Sequence, residues 1–471
     1  MRDNFSRKNV TSPDSSSGLD DYPTMRILIA PDKFKGCLSA QQVADSVVKG
    51  IKLFGKHHPA INIDTLEQPI GDGGEGTVSL ICENKEACHL RKVQVIDALG
   101  DSIPAQYYLC KAEDGSTQAF LGMASASGLA LIPAKKRSPE HSTSYGTGQI
   151  ILDAIQAGAT EIYVALGGSA TIDCGAGMLQ ALGFEFLQNS RAIDLQALVQ
   201  SGRTLAEIFL EMESVRVPSP SAALPPGLSF HIVADVDSPL HGSEGAIQCF
   251  AGQKGLPAHR FSIYRSALER FSALCEEGLD PGQSGRAGKV RDEDAGKAAG
   301  ASKAGDDDGG KSPGARKVRD EDGEQEEHQA REPRHSLSRQ PGAGAAGGMG
   351  FALMLLGAEL HPGFQFFCEQ VGMNALLRSA DLVITGEGKL DATSLSGKGP
   401  GGLARLCNEL NIPCIAVAGK VEDRSGLEQS GLFTDIREIG TGLSLEESVK
   451  RAPELISVQV LEVLESFLHV T

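Results

Sequence analysis

Glycine-rich loops that carry carboxylates, hydroxyls and lysines hold the residues of this chain best suited to chemistry. Five such loops occupy residues 30–36, 71–77, 166–178, 234–240 and 385–391. Four of them directly follow short apolar runs that predict strands, and open parallel sheets bind ligands at the carboxyl ends of their strands. Glycines let the backbone approach a ligand closely, and helix N-termini attract anions. The loops therefore indicate a site for a phosphate-bearing ligand.

Lysines, hydroxyls and glycines in or near these loops are the expected contacts to phosphate and substrate. In the first loop, Lys35 can hold a phosphate, and Asp32 can bind a hydroxyl or a metal. The third loop joins a predicted strand to a predicted helix, so its N–H groups point at any anion bound there. The expected phosphate- and substrate-binding residues are Asp32, Lys35, Gly168, Ser169, Thr171, Gly344 and Lys398.

Carboxylates in the same loops are the expected ligands of a metal ion. Asp72 and Glu75 are three residues apart and can meet one cation, whereas Asp235 and Asp237 alternate along an extended segment and point the same way. Hard oxygen ligands of this kind suit Mg²⁺. The expected metal ligands are Asp72, Glu75, Asp237, Glu387 and Asp391. Without a histidine or cysteine constellation in the sequence, this profile favours phosphoryl transfer over dehydrogenase or thiol chemistry.

A second glycine pattern leaves an alternative function open. Gly342, Gly344 and Gly347 match the spacing of a dinucleotide-binding fingerprint, but a polar segment precedes them where that motif needs a strand. The pattern also suits a turn that presents backbone N–H groups to an anion at the start of a helix. An NAD-dependent hydroxy-acid dehydrogenase therefore stands beside a kinase as an interpretation.

Composition disfavours several classes of function. The chain has 471 residues and a net charge of −17, which disfavours nucleic-acid binding. It lacks an apolar run of the ~18 residues that a membrane span needs. Its ten cysteines are scattered without a C-x-x-C pair, so we expect reduced thiols. The N-terminus lacks the apolar region of a secretory signal, so we expect a cytoplasmic protein, with organelle targeting by the N-terminal leader left open.

The hydrophobic pattern predicts an α/β protein. Short apolar strands alternate with amphipathic helices towards both ends of the chain, and a meander of β runs occupies residues 90–122. We therefore expect two α/β domains, a discontinuous parallel-sheet domain and a mixed-sheet domain inserted in it. The predicted divisions are a disordered leader at 1–24, the parallel-sheet domain at 25–65 and 341–471, the inserted domain at 66–275, and a disordered low-complexity insert at 276–340.

Nine sequence blocks, in order along the chain, resemble the glycerate kinases of the bacterial type-1 family, the glycerate 2-kinases. They are APDKFKG (30–36), GDGGEGT (71–77), MASASGL (123–129), TSYGTGQ (143–149), GGSATIDCGAGMLQALG (167–183), ADVDSPLHGSEGA (234–246), GQKG (252–255), GAGAAGG (342–348) and ITGEGKLDATSLSGKGP (384–400). The resemblance implies ATP-dependent phosphorylation of D-glycerate with Mg²⁺, in a cleft between two α/β domains, one of them flavodoxin-like. The family's usual product is 2-phosphoglycerate, although some members are described as 3-kinases. A homodimer is a further expectation.

The chain departs from the family pattern at several positions. Gly122 and Ile172 stand where the family usually has Glu and Asn, and Cys174 stands where it usually has Gly. The remaining departures are Lys33 for Ser, Gly71 for Ala, and Thr393 with Ser394 for Gln-Thr. Loss of a carboxylate and an amide leaves a catalytically impaired binding homologue as another alternative.

Taken with the resemblance, the loops suggest catalytic roles. Asp173 is the first candidate for the base that orients the attacking hydroxyl of glycerate and accepts its proton, and Asp235 is the second. Lys35 is the third catalytic candidate, because Lys35 or Lys398 would pair with the substrate carboxylate or with the transferred phosphate. Catalysis would then consist mainly of positioning and charge stabilisation.

Overall fold

The structure is a computed structural model that describes residues 24–74, 76–83, 85–218, 224–279 and 336–470. Most of the predicted leader and of the predicted insert, together with Glu75, lies outside the described residues.

The described residues contain sixteen strands and fourteen α-helices, which we number in chain order. The strands are β1 Met25–Ile29, β2 Ile63–Glu67, β3 Cys88–Ile96, β4 Ser102–Lys111, β5 Thr117–Gly122, β6 Glu161–Ala165, β7 Glu185–Gln188, β8 Arg191–Ile193, β9 Ser214–Arg216, β10 Ser229–Val233, β11 Glu359–His361, β12 Leu382–Thr385, β13 Lys389–Leu390, β14 Cys414–Ala418, β15 Lys420–Val421 and β16 Asp435–Glu438. The α-helices are α1 Ala40–His57, α2 Thr77–Cys82, α3 Ala124–Ser127, α4 Tyr145–Gln156, α5 Ala176–Ala181, α6 Leu195–Gln200, α7 Leu205–Glu211, α8 Phe261–Gly278, α9 Ala345–Leu355, α10 Gly363–Gln370, α11 Met373–Arg378, α12 Gly399–Glu409, α13 Arg424–Gln429 and α14 Leu445–Phe467.

A five-stranded parallel sheet is built from both ends of the chain, as the sequence predicts. Its spatial order is β16-β14-β12-β1-β2. Counting only these strands in chain order gives 2-1-3-4-5, the flavodoxin-like order, whose ligand site lies where the direction of winding reverses. That point falls between β1 and β12. Strand β12 is buried at every position, because both faces of a parallel sheet are covered.

Capping boxes begin the two long helices that cover one face of this sheet. The Ser39 hydroxyl accepts a hydrogen bond from the backbone N–H of Gln42, and the Gln42 side chain accepts one from the N–H of Ser39. Ser444 and Glu447 cap α14 in the same way. The apolar stripes of α1 and α14 then pack on the sheet in one buried cluster.

A six-stranded mixed sheet forms the inserted part of the chain. Its order is β11-β10-β6-β5-β4-β3, with β3, β4 and β5 antiparallel and the other pairs parallel. The predicted meander at residues 90–122 is thus confirmed. The structure moves one predicted boundary, because β11 pairs with β10 and α9 packs in the core of the mixed sheet. Residues 345–361 therefore belong to the mixed-sheet layer, and the chain returns to the parallel sheet after them.

Both ends of the predicted insert are folded, which differs from the sequence expectation. Helix α8 continues to Gly278, and a short 3₁₀ turn covers Leu337–Arg339. The Ser336 hydroxyl donates a hydrogen bond of 2.8 Å to the Glu276 carboxylate. The chain therefore returns to the point at which it leaves the described structure.

A shared apolar core fixes the two sheets against each other. One buried cluster contains Leu28 and Val383 of the parallel sheet together with Phe120 and Val233 of the mixed sheet. Burial of large apolar side chains is the main favourable term in such packing. The loops at the ends of the two sheets are consequently held at a fixed distance from one another.

Cys88 and Cys110 form a disulfide between directly opposite positions of β3 and β4. The expectation that all ten cysteines are reduced is therefore wrong for this pair, whereas the other eight are free. The two cysteines are 22 residues apart, and strand pairing brings them together.

None of the helices in the described residues is both long and apolar enough to cross a membrane.

Candidate active site

Loops from both sheets meet at the carboxyl ends of their strands. Asp32 follows β1 and Glu387 follows β12, so the two carboxylates flank the point where the parallel sheet reverses its winding. Backbone contacts fix this pair of loops: the N–H of Asp32 donates to the carbonyl of Gly386 at 2.8 Å, and the Thr385 hydroxyl donates to the carbonyl of Ala30 at 2.7 Å. The pairing of β1 with β12 thus brings residues that are 355 positions apart in the chain into contact.

Three carboxylates, Asp32, Asp72 and Glu387, form what we call the acid cluster. Their charges interact, since Asp32 and Asp72 both raise the pKa of Glu387, and Asp72 raises the pKa of Asp32. Burial is the largest cause, however. It raises the pKa of Asp32 to about 6 and that of Glu387 to about 7. Carboxylates with pKa values shifted towards neutrality are typical of functional sites.

One oxygen of the acid cluster lacks a partner. Oε1 of Glu387 is buried and makes no hydrogen bond to a described residue. A buried polar atom left unpaired costs free energy, so such an atom calls for an explanation. A cation bound at Glu387 would supply the missing interaction. Asp32 and Asp72 offer further oxygen donors, but the ligand atoms of the three side chains do not all lie within 4.8 Å of one another.

Two lysines lie beside these acids. Nζ of Lys33 lies 3.5 Å from Oδ1 of Asp72, and the Nζ of Lys398 donates a hydrogen bond to the backbone carbonyl of Asp235. Lys398 is exposed at the start of α12, so its ammonium group remains available to an anion. The site therefore combines oxygen ligands for a cation with cationic groups for an anion.

Asp235 lies at the carboxyl end of β10, facing the acid cluster. Both of its oxygens accept long contacts, 3.4 and 3.3 Å, from the N–H of Phe364 at the start of α10. Burial raises the pKa of this carboxyl, while Lys398 opposes the rise and Asp72 adds to it. Asp235 is thus a half-buried, weakly bonded carboxylate, as a proton acceptor requires.

Glycines allow the loops of the two sheets to touch. The N–H of Gly167 donates to the carbonyl of Gly73 at 3.2 Å, and a Cβ atom on Gly167 would lie 2.3 Å from the Cα of Gly74. A Cβ atom on Gly363 would lie 2.4 Å from the carbonyl oxygen of Asp72. No side chain fits at such distances, so these glycines are needed for backbone approach.

Asp173, the first candidate for the base, is buried within its own loop. Oδ2 accepts hydrogen bonds from the N–H and the hydroxyl of Ser144, both at 2.7 Å, and from the N–H of Gly177 at 3.2 Å. Oδ1 accepts one from Gly175 at 3.2 Å. A carboxylate satisfied by four donors holds the start of α5 and of α4 together. These contacts favour a structural role for Asp173 over the catalytic role predicted from sequence.

Lys254 is a functional candidate that the sequence analysis did not single out. Its side chain is buried, and Nζ donates to the Ser169 hydroxyl at 2.8 Å and to the Thr171 carbonyl at 2.7 Å. Burial lowers the pKa of Lys254 to about 7, although Asp173 nearby opposes the shift. The lysine therefore braces the loop expected to bind phosphate. Its sequence block, GQKG, carried only the family resemblance, because spacing does not reveal that a lysine is buried.

The predicted phosphate loop keeps an unused donor. The hydroxyl of Thr171 is fully buried and has no hydrogen-bond partner among the described residues. Gly168 has a positive φ of 76°, and its carbonyl accepts the N–H of Leu129 at 2.8 Å. Ser169 pairs with Gly128 in an isolated β-bridge. The loop is thus a fixed structure next to Gly73, at the edge of the acid cluster.

Four predicted site residues lie apart from this cluster or serve another purpose. Asp391 caps a 3₁₀ helix: hydrogen bonds from Thr393 and the ammonium group of Lys389 lower its pKa to about 2. Asp237 and Lys35 are exposed. Gly344 donates its N–H to the Ser238 carbonyl at 2.9 Å, so that group is not open to phosphate.

Comparison with known proteins decides the family. The model of the glycerate kinase family matches residues 27–306 and 314–468, which is most of the chain. The chain belongs to the glycerate kinase family. It is 31% identical over 432 residues to a glycerate kinase of Bacillus subtilis, covering 91% of this chain and 94% of that protein. It is 32% identical over 436 residues to the glycerate 2-kinase of Escherichia coli, with the same coverage.

A solved structure agrees with this assignment. The crystal structure of a Salmonella typhimurium LT2 protein assigned as glycerate kinase 2 superposes with a TM-score of 0.65 at 29% identity, covering 94% of this chain and 98% of that one. Family membership makes the chain a phosphotransferase. Membership in this family disfavours the dehydrogenase interpretation. The turn that begins at Gly342 also packs closely against the 166–178 loop, since a Cβ atom on Gly347 would lie 2.2 Å from the Thr171 carbonyl oxygen.

Three of the departures from the family pattern fall at two kinds of position. Ile172 and Cys174 are fully buried in the core of the mixed sheet, and Cys174 has a φ of 53° where the family's usual glycine would be unstrained. Gly122 ends β5 beside Ala165, and a Cβ atom there would meet nothing within 4 Å. The first two positions therefore concern packing, whereas Gly122 has room for a larger side chain.

Proposed function

We propose that this protein transfers the γ-phosphate of ATP to D-glycerate and releases 2-phosphoglycerate. The observation that carries the proposal is the acid cluster, which lies with Asp235 and Lys398 between the two sheets of a glycerate kinase family member. Membership in the glycerate kinase family implies ATP and glycerate as substrates. What we add is the hydroxyl group of glycerate that receives the phosphate.

The oxygen donors of the acid cluster suit Mg²⁺, which proteins usually hold through one or two carboxylates together with waters and substrate phosphates. Its donors are carboxylate oxygens, one of them buried and unpaired, and Mg²⁺ prefers oxygen ligands shared with substrate phosphates. Asp32, Asp72 and Glu387 would hold the ion, and Glu75, which lies outside the described residues, stays a predicted ligand. When bound, Mg²⁺ would neutralise charge that develops on the phosphates. The ion would also favour the ionised form of Asp32 and Glu387, whose pKa values burial raises.

Asp235 is the proposed proton acceptor. It would hold the attacking hydroxyl of glycerate by a hydrogen bond and take its proton as the bond to phosphorus forms. Its weak contacts to Phe364 leave lone pairs for this bond. Asp173 would act indirectly, by positioning the loop between β6 and α5.

Cationic groups and loop donors would bind the anionic parts of the substrates. Lys398 would pair with the glycerate carboxylate or the transferred phosphate, and the exposed Lys35 after β1 is the second candidate for this role. The 167–171 loop, braced by Lys254, would bind phosphate oxygens through Gly168, Ser169 and the unused hydroxyl of Thr171. Positioning and charge stabilisation would then supply most of the rate.

Product analysis tests the proposal. Purified full-length protein is incubated with Mg²⁺, ATP and D-glycerate, and the product is identified by ³¹P NMR against authentic 2- and 3-phosphoglycerate. We expect 2-phosphoglycerate with an equal amount of ADP. Formation of 3-phosphoglycerate would overturn the regiochemistry, and no ADP above background would favour the impaired binding homologue. A nicotinamide absorbance assay with glycerate and NAD is expected to show no change.

Two further predictions from sequence belong with this proposal. If the protein is a homodimer, size-exclusion chromatography with light scattering should give a molar mass near twice that of the chain. A cytoplasmic location predicts that the full-length protein, tagged at its C-terminus, is found in the cytoplasm.

A further inference from the structure

Two histidines and a glutamate lie together on neighbouring strands of the mixed sheet. His231 is on β10, while Glu359 and His361 are on β11, and the register pairs His231 with Glu359 and Val233 with His361. Side chains two residues apart on a strand share a face, so Glu359 and His361 both lie on the face that carries His231. This group is separate in sequence from every loop assigned to catalysis.

The three side chains converge on one point. The ligand atoms of His231, Glu359 and His361 all lie within 4.8 Å of one another. Nδ1 of His231 is 3.0 Å from Nε2 of His361. Two nitrogens bound to one tetrahedral ion at about 2.0–2.1 Å each would lie roughly 3.3 Å apart. For the two histidine nitrogens, a bound ion therefore requires a shift of only a few tenths of an ångström.

The surroundings hold His231 in the orientation of a metal ligand. Its other nitrogen, Nε2, lies 3.2 Å from the Ser229 hydroxyl, which can accept a hydrogen bond from a protonated Nε2 and so leave Nδ1 unprotonated towards His361. Such an outer hydrogen bond is the usual means of fixing the tautomer of a ligating histidine. Tyr163 stacks on the His231 ring with centroids 4.4 Å apart, and the Tyr163 hydroxyl donates to Glu161 at 2.9 Å. The ring is thus held by the stacking contact on its face and by the hydrogen bond at its edge.

We propose that His231, Glu359 and His361 form a binding site for a divalent transition-metal ion of the zinc class, distinct from the Mg²⁺ site proposed for catalysis. Imidazole nitrogen suits Zn²⁺, Co²⁺ and Ni²⁺, whereas Mg²⁺ prefers oxygen. Glu359 is exposed, so solvent supplies an entry path and a water for the remaining coordination position.

A metal at this point would fasten β11 to β10. The same two strands lead to Asp235 and to Phe364, whose N–H contacts the Asp235 carboxylate. Residue 361 is two positions before Gly363, which packs against the Asp72 backbone. The ion would therefore stabilise the pairing that carries one side of the catalytic site, without itself touching a substrate.

Zinc titration of the full-length protein tests the site. Isothermal titration with ZnCl₂, without nucleotide or glycerate, is expected to show one equivalent bound. The double variant His231→Asn/His361→Asn is expected to lose this binding, and Glu359→Gln is expected to weaken it by about tenfold or more, as even outer-shell changes cost ~10–100-fold. The matched control is His58→Asn, from a second histidine–glutamate group formed with Glu465, and it should bind as the wild type does.

Cobalt spectroscopy keeps the test independent of how well a variant folds. Co²⁺ added to the wild-type protein should give visible ligand-field bands typical of nitrogen and oxygen ligands. A sulfur-to-cobalt charge-transfer band would assign the ion to cysteine thiolates and would overturn the proposal; of the one other converging group among the described residues, only Cys82 is a free thiol. Absence of binding, or binding lost in Glu387→Gln and kept in the double histidine variant, would overturn it too.

Discussion

At the scale of single residues, burial and hydrogen bonding separate carboxylates that look alike in sequence. Asp173 and Asp391 accept strong hydrogen bonds and serve as structural anchors, whereas Asp235 and Glu387 lie half-buried with unused lone pairs. Desolvation raises the pKa of the latter two, and it does so because few donors compensate the loss of water. The residues with the least satisfied carboxylates are therefore the best candidates for chemistry.

Asp235→Asn should lower kcat by roughly 10²–10⁴-fold, the usual contribution of a general base. The amide keeps the shape of the side chain but accepts no proton, so the thermal unfolding temperature should change little. Steady-state kinetics with Mg–ATP and D-glycerate, together with circular dichroism, measure the two effects. Asp237→Asn should cost much less, because Asp237 is exposed. If Asp237→Asn were the more damaging change, Asp235 would lose its role.

Glu387→Gln should change how stability depends on pH in the absence of divalent cations. The pKa of Glu387 is raised from 4.5 to about 7 in the folded protein, so the folded state keeps a proton that the unfolded state releases. Stability from this group is therefore lost as pH rises from about 4.5 to about 7. With EDTA present, the variant should gain in melting temperature relative to the wild type at pH 7.5 compared with pH 5. The exposed carboxylate variant Glu244→Gln should show no such gain, and equal differences at both pH values would contradict the assignment.

Lys254→Met should lower kcat/KM for ATP by about 10–100-fold, since hydrogen bonds from a charged donor contribute ~1.5–3 kcal/mol each. The loop carrying Ser169 and Thr171 would lose its brace. Kinetics at varied ATP, with Lys135→Met as the exposed-lysine control, measure the effect. An unchanged KM and kcat in Lys254→Met would show that the loop holds its position alone.

At the scale of elements, glycine contacts decide how closely the strand-end loops approach. The loop before α2 lies on the loop after β6 through Gly73, Gly74 and Gly167, and on α10 through Gly363. These approaches are shorter than any side chain allows. Loop composition at this site is therefore a packing requirement as well as a means of exposing N–H groups.

Gly363→Ala should destabilise the protein by about 1–3 kcal/mol and reduce activity, because the added Cβ atom would lie 2.4 Å from the Asp72 carbonyl oxygen and must displace that loop or α10. Chemical denaturation and steady-state kinetics measure the two losses. Gly55→Ala, in α1 with nothing within 4 Å, is the matched control and should stabilise by about 0.5–1 kcal/mol. Equal behaviour of the two variants would mean that α10 moves without consequence.

At the scale of the whole molecule, two sheets share one apolar core and aim their strand ends at one site. The arrangement needs β11 and α9 on the mixed sheet and β12, β14 and β16 on the parallel sheet, so the chain crosses between the layers after residue 361. The segment between residues 279 and 336 leaves and returns at one place, next to Glu276. The strand pairings described above are all made by residues outside that segment.

Replacing residues 281–335 by a linker of about six residues should leave the melting temperature and kcat unchanged, since short linkers suffice between neighbouring element ends. The hydrogen bond from Ser336 to Glu276 marks how close those ends are. Calorimetry and kinetics on the shortened protein measure the outcome. A fall in kcat with unchanged stability would instead assign the removed residues a function.

The amino-acid sequence by itself determined the fold class, the discontinuous parallel sheet and the glycine-rich loops of the candidate site. These features follow from local spacing, which a chain displays without folding. Only the tertiary structure decided which acids act together, because burial, and hence the pKa of Asp32 and Glu387, depends on residues hundreds of positions away. The same holds for buried Lys254, for the Cys88–Cys110 pair and for the convergence of His231 with His361. Contacts between distant segments produce each of these, and no local pattern records them.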